Sequence, residues 1–183
     1  MGFGGGVIVA AAIVLALFFV LGGNQDWKVT TPQKAGGLTR VDTAAIQTQL
    51  RSAISTVKSQ FNKLSDVGQL NSVVDGVYQL SSSQQFGAIP NYVIFVGLNG
   101  TFNPKNVLKG IMTGGSNLPT AVPGPHGGQA ECGTDSSGDE GCVWATGTTV
   151  GILAIEPNGA EPKGHLDGLM IGMRKDLEQS SGT

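Results

Sequence analysis

Two cysteines are the residues of this sequence whose type and spacing most clearly favour specific chemistry. Cys132 and Cys142 flank the nine residues GTDSSGDEG, which are rich in turn-forming Gly, Asp and Ser. A hairpin over this segment would bring the two sulfurs side by side, and closing a ring of about 11 residues would stabilise the fold by roughly 2.5 to 3 kcal/mol. The spacing therefore predicts a disulfide, and disulfides persist in oxidising compartments.

Two reduced cysteines in the cytosol and half of a zinc site are the alternatives to the disulfide. The zinc alternative is disfavoured because the sequence has no C-x-x-C pair and its two histidines, His126 and His165, stand alone. Neither histidine has a nucleophile motif beside it, and G-x-S-x-G does not occur. We therefore predict no catalytic residues, no cofactor and no enzyme activity.

The loop between the cysteines is acidic and partly imitates a calcium loop. Asp135, Ser137 and Asp139 alternate as the first three ligands of such a loop do. The pattern then breaks, because Glu140 stands where a glycine is needed and Thr146 where the bidentate glutamate belongs. The loop is predicted to be a solvated hairpin tip without a metal.

The elements that must position these residues begin with an apolar segment at residues 4–23. No charged side chain occurs between Met1 and Gln25, and roughly 20 apolar residues are needed for a helix to cross a bilayer. The segment is predicted to be a transmembrane anchor over residues 1–23, with the lipid bilayer as its partner. A cleaved signal peptide and a buried helix of a soluble protein are the alternatives. The signal peptide is disfavoured because the start has no basic residue and Phe18-Phe19-Val20-Leu21 replaces a small-x-small cleavage site.

The orientation of the anchor follows from two arguments that disagree. Lys28, Lys34 and Arg40 follow the apolar segment, so the positive-inside rule alone would place the domain in the cytoplasm. That rule is weak for long domains, and the expected disulfide requires an oxidising space. The prediction is a single-pass protein of the cell membrane with an extracytoplasmic domain.

Residues 24–41 are predicted to be a linker because they contain Pro32 and the pair Gly36-Gly37 without apolar periodicity. Trp27 lies just after the apolar segment, where an indole ring is expected at the membrane interface. The alternative for Trp27 is a ring folded into the domain. Residues 42–179 form the predicted domain, and 180–183 a frayed tail.

The predicted fold class is α+β, with an N-terminal transmembrane helix followed by a mostly antiparallel sheet of about four strands packed with helices. Apolar residues spaced by three and four predict helices near 43–65 and 164–178, and a second short helix over 67–80. Continuous β-branched and aromatic runs predict strands. The four strands are expected near 92–98, 128–132, 142–147 and 149–155.

A resemblance to a known group is carried by residues of the C-terminal half. These are Gly124-Pro125-His126-Gly127-Gly128, Cys132, Cys142-Val143-Trp144-Ala145, Thr149, Gly151, Met173-Arg174 and Glu178. The pattern resembles an uncharacterised group of actinobacterial single-pass membrane-anchored proteins with an extracytoplasmic Cys...Cys-x-Trp-Ala domain. The resemblance implies topology and fold, and no activity or site residues. Such proteins often carry an acidic residue after Trp-Ala, where this chain has Thr146, so the resemblance does not extend to a shared polar site beside the tryptophan.

Composition and pattern together favour a binding role. The formal net charge is -2 with a pI near 5.6, and no cluster of Lys or Arg offers the basic face that nucleic acid requires. We predict a membrane-tethered extracytoplasmic binding, sensory or accessory module of the cell envelope, acting with an envelope protein partner. A pilin-like structural subunit and an envelope enzyme of unknown reaction are the alternatives.

Overall fold

The computed structural model describes residues 26–42, 44–64, 66–79, 92–112, 119–134, 140–155 and 166–181. Within these ranges the chain forms ten strands and three helices. The strands are β1 (Trp27–Val29), β2 (Lys34–Ala35), β3 (Leu38–Arg40), β4 (Gly68–Gln79), β5 (Tyr92–Phe102), β6 (Thr120–Ala121), β7 (Gln129–Thr134), β8 (Glu140–Ala145), β9 (Thr149–Ile155) and β10 (Glu178–Ser180). The helices are α1 (Ala44–Phe61), α2 (Pro104–Met112) and α3 (Leu166–Leu177).

Eight of the strands form one antiparallel sheet that curls into a half-barrel, in the order β2-β3-β4-β5-β9-β8-β7-β6. The longest pairing joins β4 to β5 along nearly their whole length, and β9 lies on the other side of β5. The remaining two strands, β1 and β10, pair with each other in a separate antiparallel sheet. The first and last described strands are therefore held together.

The large sheet is covered on both faces, because side chains of a strand alternate between its two sides. In β5, Val93 and Phe95 join a core that includes Met170 and Leu177 of α3. Val96 and Leu98 of the same strand join a second core with residues of α1 and α2. The sheet thus separates α3 and the two-stranded sheet from the other two helices.

The closest packing in the first core lies between β8 and β9. Trp144 is fully buried, and a Cβ placed on Gly151 of the neighbouring strand would lie 2.0 Å from the indole. Only a residue without a side chain leaves room for the ring at that register position. Phe95 stacks on the same indole, with ring centroids 5.9 Å apart.

The predicted fold class, α+β with a sheet of about four strands, is wrong. Strands are present at the four predicted places, as β5, β7, β8 and β9, but they belong to an eight-stranded half-barrel accompanied by a two-stranded sheet. Helices occur near 43–65 and 164–178, as α1 and α3. Helices are few relative to strands, so the described chain is mainly antiparallel β structure.

The second short helix expected over 67–80 is replaced by β4. A β-bulge between Leu70 and Ser72 inserts one residue into the strand. Leu70 and Val73, three residues apart, therefore both pack against the second core. The bulge gives a strand the three-residue apolar spacing that is typical of a helix.

The structure also differs from the expected linker at 24–41 and the expected tail at 180–183. The first segment contains β1, β2 and β3, and Val29, Ala35 and Leu38 are buried in the first core. Ser180 pairs with Trp27, and the amide of Ser181 donates to the carbonyl of Asp26. Backbone pairing rather than apolar periodicity holds these short segments, which is why composition suggested loops.

The apolar segment 4–23, predicted as the transmembrane helix, lies outside the described residues. Within the ranges given above, no helix combines the length and the apolar character needed to span a bilayer.

Candidate functional site

The predicted disulfide is confirmed. Cys132 on β7 and Cys142 on β8 are direct partners in the antiparallel register, and both are buried in the first core. The Asp167 carboxylate lies within 4.8 Å of the two sulfurs, but bridged sulfurs are not the thiolates that metals bind. The segment 135–139, which imitates a calcium loop, lies outside the described residues, as does His165.

A cluster of buried polar side chains lies beside Trp144. The Glu178 carboxylate accepts hydrogen bonds from Trp144 Nε1 at 2.9 Å, from Thr149 Oγ1 at 2.6 Å and from Arg174 Nε at 2.6 Å. The Arg174 guanidinium also donates to the carbonyl of Pro123, and its carbon lies 5.8 Å from the Trp144 ring centroid. We call Trp144, Thr149, Arg174 and Glu178 the buried network.

The members of the buried network are almost completely shielded from water. Arg174 and Thr149 have no exposed surface, and Glu178 is 3% exposed. Burial lowers the pKa of Arg174, and the adjacent Glu178 carboxylate opposes that effect by favouring the charged form. Because the carboxylate is already occupied by three donors from the protein, the buried network is a structural brace between α3 and the sheet.

The sequence contained one signal of this brace. Arg174 and Glu178 are four residues apart at the end of a predicted helix, which is the spacing of an ion pair on one helix face. The partner residues Trp144 and Thr149 come from two strands far away in sequence.

An open cleft of about 800 Å³ lies where β1 begins, β10 ends and the β8–β9 turn meets β5. We call it the end cleft. Its lining comes from segments distant in sequence and includes Trp27, Asn71, Thr101, His126, Thr148 and Ser181.

One wall of the end cleft is built by polar side chains that hold β1. Asn99 Oδ1 accepts from the Val29 amide at 2.7 Å, and Asn99 Nδ2 donates to the Val29 carbonyl at 3.1 Å. The Thr148 hydroxyl accepts from the Trp27 amide and donates to the Trp27 carbonyl, both at 2.9 Å. These side chains form the hydrogen bonds that a neighbouring strand would otherwise provide. The backbone of Trp27 is therefore fixed.

The aromatic part of the end cleft is the pair Trp27 and His126. Their ring centroids are 3.7 Å apart with planes inclined by 43°, and both side chains are partly exposed. His126 Nε2 is buried and has no hydrogen-bond partner among the described residues. Burial lowers the pKa of His126, with the Arg174 charge acting in the same direction and Glu178 opposing it. The imidazole is therefore neutral near pH 7.

Glycines position His126. Gly124, Gly127 and Gly128 all have positive φ, and the Gly127 amide donates to the Gly124 carbonyl. A Cβ on Gly128 would lie 2.2 Å from the carbonyl oxygen of Ala145. Residues 124–128 therefore form a tight turn whose positive φ angles favour glycine.

Other polar side chains of the end cleft remain open. Asn71 and Thr101 are exposed, as are Asp26 and Lys28 at the rim. Within the described ranges none of these four side chains has a hydrogen-bond or ion-pair partner. They are the groups of the end cleft that are available to a ligand.

Trp27 and His126, which the sequence analysis considered individually, line the end cleft, and neither cysteine does. The ring of Trp27 is folded against the domain, and its position in the lipid headgroup layer stays a prediction. Sequence reasoning missed Asn71 and Thr101, because single polar residues in strands carry no motif. The bulge in β4 that precedes Ser72 was not recognisable either.

Comparisons with known proteins give no match among protein-family models, curated proteins or solved structures. The resemblance to actinobacterial membrane-anchored proteins stays a prediction.

Proposed function

We propose that this chain is a non-catalytic binding module of the cell envelope, tethered to the membrane through residues 4–23, with its domain on the extracytoplasmic side. The end cleft is the ligand-binding surface. The observation that carries the proposal is the combination of open polar side chains with a fixed aromatic pair in a cavity of about 800 Å³. Cavities of this size with a few convergent polar groups are typical of small-molecule sites.

The compartment is supported by the disulfide. Cys132 and Cys142 are joined inside the core, and structural disulfides belong mainly to proteins of oxidising spaces. The apolar segment 4–23 supplies the length that a bilayer requires.

The position of the end cleft in the chain supports a ligand at the membrane surface. Asp26, at the rim, follows Gly23 by three residues. An extended chain covers at most about 3.6 Å per residue, so the rim lies within roughly 11 Å of the end of the apolar segment. A cleft so close to the anchor can reach molecules that are attached to the membrane.

The absence of catalysis is supported by the environment of His126. Its Nε2 atom has no hydrogen-bond partner among the described residues. A general base needs such a partner or a substrate proton within reach. The ion pair of Arg174 and Glu178 is buried and therefore out of reach of a substrate in solution.

Labelling of intact cells tests the location. Asn62→Cys places a thiol on an exposed position just after α1, whereas Val107→Cys places one in the second core. We expect a membrane-impermeant maleimide to modify Asn62→Cys in intact cells, and Val107→Cys only after denaturation. Modification of Asn62→Cys that requires cell lysis would place the domain in the cytoplasm and overturn the proposal.

Tryptophan fluorescence tests the use of the end cleft. The chain has two tryptophans, and Trp144 is fully buried while Trp27 lines the cleft. An envelope extract is expected to shift the emission of the full chain in lipid nanodiscs and to leave Trp27→Phe unchanged. Equal responses of the two proteins would show that the end cleft is not the binding surface.

A further inference from the structure

We infer that the end cleft binds a neutral carbohydrate, either as a free glycan or as the headgroup of a glycolipid. The inference rests on the proposed binding function and names its ligand class. It is carried by three properties of the cleft, namely balanced charge, open amide and hydroxyl groups, and a partly exposed indole.

The charges that line the end cleft cancel. Asp26 and Lys28 contribute one charge of each sign at the rim, and His126 is neutral near pH 7. Arg174, whose charge acts on His126, is paired with Glu178 beneath the surface. A phosphorylated or polyanionic ligand would require an excess of basic groups. The lining therefore selects for a ligand without net charge.

The open polar groups provide both donors and acceptors. The Asn71 amide offers two donor hydrogens and one acceptor oxygen, and the Thr101 hydroxyl can donate and accept. Both side chains are exposed and have no partner within the described ranges. A sugar hydroxyl likewise donates and accepts, so a ring with several hydroxyls can satisfy these groups together.

The indole of Trp27 provides the apolar surface. Aromatic faces carry negative electrostatic potential and attract the weakly positive C–H groups on one side of a pyranose ring. The His126 ring lies 3.7 Å from the indole centroid, and Thr148 holds the Trp27 backbone with two hydrogen bonds. Because the platform is fixed before binding, little conformational entropy is lost when a sugar packs on it.

The two sources of such a sugar differ in how they reach the site. A free glycan diffuses from solution, whereas a glycolipid headgroup stands at the membrane surface near the rim. The chemistry of recognition is the same for both, and vesicles separate them from soluble sugars.

The experiment uses the full chain in nanodiscs and measures tryptophan emission and heat of binding. The probes are maltotriose, mannotriose and chitotriose in solution, vesicles containing a neutral glycosyl diacylglycerol, and sugar-free phosphatidylethanolamine vesicles. We expect saturable binding of at least one sugar-bearing probe and no response to the sugar-free vesicles. Binding of a soluble trisaccharide assigns a free glycan, and binding of the glycolipid vesicles alone assigns a headgroup.

Two matched variants test whether the sugar binds in the end cleft. Thr101→Val removes an exposed hydroxyl from the end cleft, and Thr120→Val makes the same change at an exposed position of β6 outside the cleft. We expect Thr101→Val to weaken sugar binding by about 3- to 10-fold, the loss that one hydrogen bond implies. Trp27→Phe should weaken it by about 10-fold or more, and Thr120→Val should leave it unchanged. Since Thr101 is exposed, the test does not depend on Trp27→Phe folding normally.

Three results would overturn the inference. They are the absence of binding by every sugar-bearing probe, equal binding by Thr101→Val and Thr120→Val, and a response to sugar-free vesicles that matches the glycolipid. If the envelope extract still shifts the emission of Trp27 while the sugars fail, the ligand class is wrong and the binding function stands.

Discussion

The buried network and the end cleft lie near each other in the same molecule and use polar side chains in opposite ways. In the buried network, Glu178 is surrounded by donors and excluded from water. In the end cleft, Asn71 and Thr101 are exposed and have no partner among the described residues. Both regions would count as polar clusters in a simple inventory. The two regions differ in whether their polar side chains have hydrogen-bond partners within the protein. This property distinguishes a structural brace from a candidate binding surface better than the presence of polar residues does.

The largest expected effect comes from breaking the buried network on one side. Arg174→Met removes the cation and leaves the Glu178 carboxylate buried without its ion pair. Such a change costs about 3 to 5 kcal/mol, which we expect as a decrease in the free energy of unfolding in urea. Lys175→Met is the matched control, because Lys175 is exposed on the next position of α3. A loss of less than about 1 kcal/mol for Arg174→Met would show that the pair is not a brace.

The disulfide lies in the same core as Trp144 of the buried network. Removing it should cause the next largest loss in the free energy of unfolding. Cys132→Ala combined with Cys142→Ala is expected to lower the free energy of unfolding by about 2.5 to 3 kcal/mol. Urea unfolding with and without a reductant measures this loss. The reductant should destabilise the native chain and leave the double variant unaffected. Sugar binding should persist in the folded fraction, because neither cysteine lines the end cleft.

Asn99 and Asn71 allow the comparison to be made within the end cleft itself. Asn99 is 8% exposed and bonds both the amide and the carbonyl of Val29, whereas Asn71 is exposed. Asn99→Ala leaves those backbone groups without partners, and we expect it to cost about 1 to 3 kcal/mol in thermal or urea unfolding. Asn71→Ala should stay within about 0.5 kcal/mol of the parent chain. Equal decreases in the free energy of unfolding would show that Asn99, which bonds the backbone of Val29, is no more important for the fold than the exposed Asn71.

Local patterns predicted the central part of the fold well. The continuous apolar run of β5 and the hairpin that joins Cys132 to Cys142 both depend on neighbouring residues. These elements carry their own signal in type and spacing. The confirmed disulfide belongs to this group, because its two strands are joined by one short connection.

The remainder of the fold depends on contacts between distant segments. β1 exists because it pairs with β10 some 150 residues away and because Asn99 holds Val29. β4 was mistaken for a helix because its bulge changes the spacing of Leu70 and Val73. The end cleft is the meeting point of these long-range contacts, so its residues could not be found from sequence. Trp27 and His126 were singled out as individual residues, and the ring contact between them was not foreseeable.

The smallest expected effect concerns His126, which belongs to the open region yet has one buried, unpartnered atom. Burial lowers its pKa in the folded chain, whereas the unfolded chain takes up a proton near pH 6.5. Well above pH 6.5 both states are neutral, and His126 does not affect the free energy of unfolding. As the pH falls from there through the folded pKa, the unfolded chain holds the additional proton and stability decreases. His126→Phe keeps an aromatic ring beside Trp27 and should remove this decrease.

Urea unfolding between pH 7.5 and 5 measures the slope, with His165→Gln as the background in which His126 is the remaining histidine. A slope that is the same in the background and after the further change His126→Phe would show that His126 titrates alike in both states. The same titration with a bound trisaccharide tests whether the ligand contacts His126. A sugar hydroxyl that donates a hydrogen bond to the unprotonated ring nitrogen favours the neutral imidazole. A bound trisaccharide should therefore lower the pKa of His126 further and extend the decrease in stability to lower pH. The buried network offers no such coupling, because its hydrogen bonds are complete before any ligand arrives.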